Sequence, residues 1–236
     1  MHVDDPPMPD TSDPGNDGSN NPTTLGNSNP CNTLRTLGTD AGFNQLLGDL
    51  KAKTALDHEE GYTYSKTGNA VTDASLQQGS TGGAGINLQV NGQIDGYMHT
   101  HHSGLLSVFS ASDMRAVYEL YKSNHIRDAA TFSAQVITAN GTTYALTITD
   151  PAALVSFGDK WFVDGPYWQT FEQVFYDLRY NIKQSNSNSV NEVGFTEMLA
   201  KSAIGLALSK GDSNDFNSWS LLGLDADQNV VSTTCP

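Results

Sequence analysis

Residues 96–122 join a strand pattern to a helix pattern, and this junction most limits the folds open to the chain. The segment QIDGYMHTH, residues 93–101, is typical of a β-strand. The helix pattern SASDMRAVYELYKSN follows after a short loop, with Ser110 at the N-cap and Asp113 three residues later. A strand pattern followed by a capped helix pattern indicates a domain that combines strands and helices.

The rest of the chain after residue 30 also mixes strand and helix patterns. The fold class predicted is therefore α/β or α+β, with a mixed sheet favoured over an all-parallel one. Apolar spacing predicts a helix over 41–56 and further helices near 151–162, 167–185 and 190–209. Strand patterns lie at 59–68, at 85–90, in a hairpin over 129–149 that turns at Asn140-Gly141, and in a closing hairpin over 217–234.

Residues 1–30 differ in composition from the rest of the 236-residue chain. They hold six of the nine prolines and five aspartates, with no lysine or arginine. Such a segment cannot bury enough apolar surface to offset the entropy of ordering it. We expect residues 1–30 to be a disordered acidic linker within a longer parent protein, and residues 31–236 to form the folded domain.

The charge of the chain limits its partners. The formal net charge is −14, with 26 acidic and 12 basic residues. Binding to nucleic acid needs clustered lysine and arginine, so a nucleic-acid partner is disfavoured. Anionic membrane surfaces are disfavoured for the same reason, and no apolar run approaches the roughly 20 residues of a membrane span.

The two cysteines, Cys31 and Cys235, lie near the two ends of the expected domain. Neither belongs to a C-x-x-C pair. They are either two separate thiols or a disulfide that joins the ends of the domain, which often lie close together. A disulfide requires an oxidising compartment.

The segment 99–113 carries the candidate chemistry. On a strand, His99 and His101 point to the same face, whereas Thr100 and His102 point to the other. Asp113, in the first turn of the following helix, is favoured there by the helix dipole and is a candidate third ligand. Two histidines and one carboxylate leave a fourth position open for water, the pattern of a catalytic zinc site.

These motifs resemble those of the JAB1/MPN-type metalloproteases, the JAMM family. The signature is H-x-H, a short loop and S-x-x-D, with a glutamate on an upstream strand. Here it is formed by His99 and His101, by Ser110 and Asp113, and by Glu59 ahead of Gly61-Tyr62. The segments flanking this region are similar to those of secreted or surface proteins of Bacteroidetes-type bacteria.

The resemblance implies both a fold and residue roles. The fold would be a curved mixed sheet flanked by helices, with a cytidine-deaminase-like core and extra C-terminal helices. His99, His101 and Asp113 would hold Zn²⁺, a glutamate would act as general acid and base, and Ser110 would stabilise the oxyanion. The reaction would be hydrolysis of a peptide or isopeptide bond.

Two features depart from the family pattern. Residues 102–109 place eight residues between His101 and Ser110, one more than usual, and His102 stands where proline is usual. The loop can absorb one residue without moving the ligands, or the chain can be a relative that binds no metal.

The choice between Glu59 and Glu60 is open, because adjacent strand residues point to opposite faces. Glu59 is favoured because it places Gly61 on the side of the site, where a small residue leaves room for substrate. Glu60 would instead place Tyr62 and Tyr64 there.

The sequence therefore predicts a zinc-dependent hydrolase that acts on a peptide or protein. The alternative is a non-catalytic binding or structural module of a bacterial surface protein that retains the fold. The expected location is extracytoplasmic, that is, secreted, periplasmic or at the cell surface. A cytoplasmic location stays open if the cysteines are not paired.

Overall fold

The computed structural model describes residues 29–236. The predicted linker over 1–30 therefore lies almost entirely outside the described residues. The first helix begins at Pro30, with the Asn29 side chain as its N-cap, one residue before the predicted start of the domain. No helix within the described range is long and apolar enough to cross a membrane.

Groups of helices and groups of strands follow one another along the chain. The helices are α1 (Pro30–Gly38), α2 (Ala41–Lys53), α3 (Ala111–Lys122), α4 (Pro151–Trp161), α5 (Pro166–Thr170), a π-helix (Phe171–Arg179) and α6 (Asn188–Ser202). The strands are β1 (Glu60–Thr67), β2 (Ala70–Gln78), β3 (Gly96–His101), β4 (Ser133–Thr138), β5 (Thr143–Ile148), β6 (Leu206–Gly211), β7 (Trp219–Leu224) and β8 (Val230–Thr234).

Eight strands of the described chain form one mixed sheet in the order β2-β1-β3-β4-β5-β6-β7-β8. Only the pair β3–β4 is parallel, and α3 forms the crossover between these two strands. All other neighbours are antiparallel. The prediction of a mixed α/β sheet flanked by helices is confirmed at this level.

Helices cover both faces of the sheet, and the alternation of β3 shows which face carries the histidines. Met98 packs with α1 and α2 in one apolar cluster, whereas Tyr97 packs with α3, α4, the π-helix and α6 in the other. His99 and His101 share the face of Tyr97, because side chains two apart on a strand point the same way. The histidines therefore point toward α3.

The structure departs from the predicted secondary structure at residues 85–90, at β2 and at the end of the helix predicted over 190–209. Residues 85–90, predicted as a strand, belong to no strand, and the Gln89 amide donates instead to the Gln77 side chain. Strand β2 was not predicted because it is an exposed edge strand whose polar residues show no alternation. The helix predicted over 190–209 ends at Ser202, since Ala203 and Gly205 adopt positive φ, and the chain continues as β6.

The segment predicted as one helix over 167–185 is instead short α5 followed by the π-helix. The spacing of apolar residues in the sequence does not distinguish an α-helix from a π-helix, because the buried aromatic residues recur at similar intervals in both. The predicted hairpins 129–149 and 217–234 are present as β4–β5 and β7–β8.

A disulfide joins Cys31 in α1 to Cys235 after β8, with the two Cα atoms 4.9 Å apart. The Cys235 amide also donates to the Trp219 carbonyl at 2.9 Å, which fixes the end of the chain against β7. Of the two alternatives left by the sequence, the structure contains the paired one.

Candidate metal centre

Strand β3 brings the first two candidate ligands together. His99 and His101 are almost completely buried, and their Nε2 atoms lie 3.2 Å apart. The parallel pairing of β3 with β4 fixes this register, with His99 opposite Val136 and His101 opposite Thr138. Both imidazoles are thereby held on a rigid central strand.

Helix α3 places Asp113 against these histidines. Its Oδ1 lies 3.1 Å from His99 Nε2, and its Oδ2 lies 3.3 Å from His101 Nε2. The capping box predicted from sequence fixes the carboxylate, because the Ser110 amide donates to Asp113 Oδ2 at 2.6 Å. The longer loop over 102–109 therefore does not separate Asp113 from the histidines.

The Nε2 atoms of His99 and His101 and the Asp113 carboxylate oxygens are spaced nearly as the ligands of one tetrahedral ion are. Nitrogen and oxygen ligands lie about 2.0–2.2 Å from a zinc ion, so two tetrahedral ligands lie roughly 3.3–3.6 Å apart. The three measured separations are 3.1, 3.2 and 3.3 Å. Small outward movements of the side chains would thus accommodate an ion of this size.

The second nitrogen of each histidine has a different environment. His101 Nδ1 lies 2.9 Å from the Leu106 carbonyl, which requires a proton on Nδ1 and leaves the Nε2 lone pair free for a metal. His99 Nδ1 is buried and has no hydrogen-bond partner among residues 29–236. His101 is therefore the better-supported ligand of the two.

The cluster binds protons strongly in the absence of an ion. Burial lowers the pKa of His101, but the hydrogen bond and charge of Asp113 outweigh burial and raise this pKa to about 9. Burial likewise raises the pKa of Asp113, but both histidines outweigh it and hold that pKa well below its usual value. Any cation that binds here must displace this proton.

Glu59 lies on the same side of the sheet as the histidines. Glu59, His99 and His101 form a buried group whose ligand atoms all lie within 4.8 Å of one another, so the group can hold a metal ion. Within the described part of the chain, the Glu59 carboxylate makes no hydrogen bond or ion pair, although it is only 3 % exposed. It is therefore free to act as a base or as a ligand.

Glu60 points to the other side of the sheet. Its Oε2 lies 2.7 Å from Lys53 Nζ on α2, and its Oε1 accepts from Gln78 at 2.9 Å. Burial raises the pKa of Glu60, but Lys53 and Gln78 outweigh it and hold this pKa below its usual value. This carboxylate has ionic partners and does not enter the histidine site.

The position of Glu59 is fixed by its neighbours. The Gly79 amide donates to the Glu59 carbonyl at 2.8 Å, and the Glu60 amide donates to Thr100 Oγ1 at 3.0 Å. Thr100 lies between the two histidines and is fully buried. Thr100, which points away from the candidate site, thus anchors the start of β1, directly after Glu59.

The expected reason for Gly61 is wrong. A Cβ at position 61 would lie 2.4 Å from the Met98 carbonyl oxygen and 2.9 Å from Ile86. The absence of a side chain at Gly61 therefore allows β1 to lie close to β3 and to the Ile86 side chain. It does not leave room for a substrate.

The candidate site opens into a small cleft of about 180 Å³. Leu105 and Leu106 from the loop after β3, and Ala84 and Gly85 from the segment before β3, form its apolar part. The polar lining residues are Glu59, His101, Ser110, Ser112, Asp113 and Gln184. The cleft is large enough for an amide group and its neighbours, but not for a folded domain.

Two tyrosines that were not predicted as site residues support the site. The Tyr97 ring stacks on His99 with centroids 5.8 Å apart, and its hydroxyl donates to the Asp113 carbonyl at 3.2 Å. The buried Tyr176 hydroxyl donates to the Phe109 carbonyl, next to Ser110. The period-two spacing of Tyr97 and His99 was the only available signal, whereas Tyr176 is distant in sequence.

His102 lies on the rim of this region, where its Nε2 is 3.4 Å from the Gly83 carbonyl. It is partly exposed and lies one residue beyond the end of β3, so it is not one of the two buried histidines of the strand.

No family model, curated protein or solved structure matches the chain.

Proposed function

We propose that this protein is a zinc-dependent hydrolase of peptide or isopeptide bonds, of the JAB1/MPN type. The observation that supports this most directly is the convergence of Glu59, His99 and His101 into one buried group, with Asp113 against both histidines. Two imidazoles and one carboxylate are a ligand set typical of zinc, and they leave a fourth coordination position open.

Each residue then has a distinct role. His99, His101 and Asp113 would hold the ion, which would supply a water molecule whose pKa is lowered to about 7. Glu59 would accept a proton from the attacking water and transfer it to the leaving amine. Among residues 29–236 the Glu59 carboxylate has no hydrogen-bond or ion-pair partner, which is consistent with this task.

The proposed substrate is an extended peptide or an isopeptide-linked chain, because only a narrow segment fits the cleft. Leu105 and Leu106 offer apolar contacts to side chains beside the scissile bond. We also propose an extracytoplasmic location, because a disulfide such as Cys31–Cys235 persists in oxidising compartments.

The test is hydrolysis by the full chain, loaded with zinc, of a peptide library and of a peptide that carries a lysine isopeptide bond. Cleavage that a chelator abolishes and zinc restores would support the proposal. Stoichiometric zinc without cleavage of either probe would favour the non-catalytic module.

A further inference from the structure

Both hydrogen-bonding roles of the Ser110 hydroxyl are already used. Its Oγ donates to Asp113 Oδ2 at 2.8 Å and accepts from the Asp113 amide at 3.2 Å. The Ser110 amide donates to the same carboxylate. A hydrogen bond from the Ser110 hydroxyl to a substrate oxygen would have to replace its hydrogen bond to Asp113. That existing hydrogen bond orients a proposed metal ligand.

The Ser112 hydroxyl is in a different situation. It lies in the first turn of α3, is exposed, and lines the same cleft as Glu59 and His101. Within residues 29–236, its side chain has no hydrogen-bond partner. Its donor is therefore available to a molecule in the cleft.

The start of α3 adds to this donor. The amides of Ala111 and Ser112 occupy the first two helical positions, where no acceptor exists within the helix. The helix dipole places partial positive charge at the same end. A negatively charged oxygen near Ser112 would be stabilised by both.

The Glu59 carboxylate is a second, independent feature of the cleft that points to a ligand. It is 3 % exposed, lines the cleft, and makes no hydrogen bond or ion pair within the described range. A mostly buried carboxylate that faces a cleft and lacks a hydrogen-bond donor among the described residues is a position where a bound molecule can supply that donor.

We propose that Ser112, and not Ser110, is the catalytic residue that donates a hydrogen bond to the oxyanion. This inference rests on the proposed function. Water adds to the carbonyl carbon, Glu59 accepts one water proton, and the carbonyl π electrons move to the oxygen that Ser112 binds. When the C=O bond re-forms, the C–N bond breaks and the amine takes the proton from Glu59. Ser110 keeps the separate task of orienting Asp113.

The test measures binding of acetohydroxamate to the zinc-loaded full chain by calorimetry. The oxygens of this probe bind zinc and accept hydrogen bonds at the position of the substrate oxygen. Ser112→Ala should weaken its binding by about tenfold or more, since hydrogen bonds to charged groups are strong. Zinc affinity, measured separately by chelator competition, should stay within about twofold of the original protein.

Two further variants make the comparison specific. Ser123→Ala, at the other end of α3, should change neither affinity. Ser110→Ala should weaken zinc binding, yet bind acetohydroxamate nearly normally once zinc is saturating. Unchanged acetohydroxamate affinity in Ser112→Ala, or no acetohydroxamate binding by the original zinc-loaded protein, would overturn the role of Ser112 while the zinc site stands. A failure of the original protein to bind zinc would overturn the proposed function itself.

Discussion

Glu59 and Glu60 are adjacent in the chain, but their carboxylates lie on opposite sides of the sheet. Glu59 shares a buried group with His99 and His101, whereas Glu60 pairs with Lys53 at 2.7 Å. Glu59 directly precedes β1 and Glu60 is its first residue, and only Glu59 reaches the histidines. This relationship provides a matched pair of substitutions.

Glu59→Gln should retain zinc and lose hydrolysis by at least about a hundredfold, because the amide cannot accept the water proton. Glu60→Gln should remain active, since its side chain lies away from the cleft. Initial rates on a peptide that the protein cleaves, with zinc content measured on the same samples, make the comparison. Inactive Glu60→Gln with active Glu59→Gln would reverse the assignment.

Zinc affinity should rise with pH. The pKa of His101 is raised to about 9, so below that value zinc must displace a proton, and affinity gains up to about tenfold per pH unit. In the metal-free protein the same proton stabilises the fold. That contribution is complete below the ordinary histidine pKa of about 6.5, and is lost as the pH rises through about 9. Chelator competition at pH 6, 7 and 8 measures the zinc affinity. A zinc affinity that does not change with pH would contradict the prediction.

Gly61→Ala should lower the free energy of unfolding by about 1–3 kcal/mol or more, as overpacking does. The added methyl would lie 2.4 Å from the Met98 carbonyl oxygen, between β1 and β3. Gly48→Ala in α2 is the control, because nothing lies within 4 Å of its added Cβ. It should stabilise the protein by about 0.5–1 kcal/mol. Urea unfolding measures the free energy of unfolding of both variants. Equal changes in the two would argue against the close packing of Gly61.

The Cys31–Cys235 disulfide should be present in protein made under oxidising conditions, and its removal should destabilise the fold. The two cysteines are 204 residues apart in sequence. In the chain-entropy model, a loop longer than 100 residues contributes upwards of about 4.7 kcal/mol. Thiol titration of denatured, unreduced protein should find no free thiol. Two free thiols per chain would remove the main argument for an extracytoplasmic location.

Local patterns in the sequence predicted the parts of the site that depend on short-range order. The alternation of His99 and His101 and the capping box of Ser110 and Asp113 are such patterns, and the structure contains both. The polar edge strand β2 has no such pattern, because solvent covers most of it.

Contacts between distant segments were not predictable in the same way. The packing of Gly61 against Met98 depends on how β1 and β3 pair. The support that Tyr176 gives to Phe109 spans 67 residues of sequence. The commitment of the Ser110 hydroxyl to Asp113 also became evident only from the geometry of the cap.

The zinc content of the purified full chain tests the central proposal most directly. After growth with zinc and removal of loosely bound metal, elemental analysis should find stoichiometric zinc in the original protein. Asp113→Ala and His101→Ala should lose it. His125→Ala should retain it, because that ring bonds to the Gly92 carbonyl, away from the cleft. An original protein without zinc, or zinc retained in full by both ligand variants, would contradict the assignment of this site.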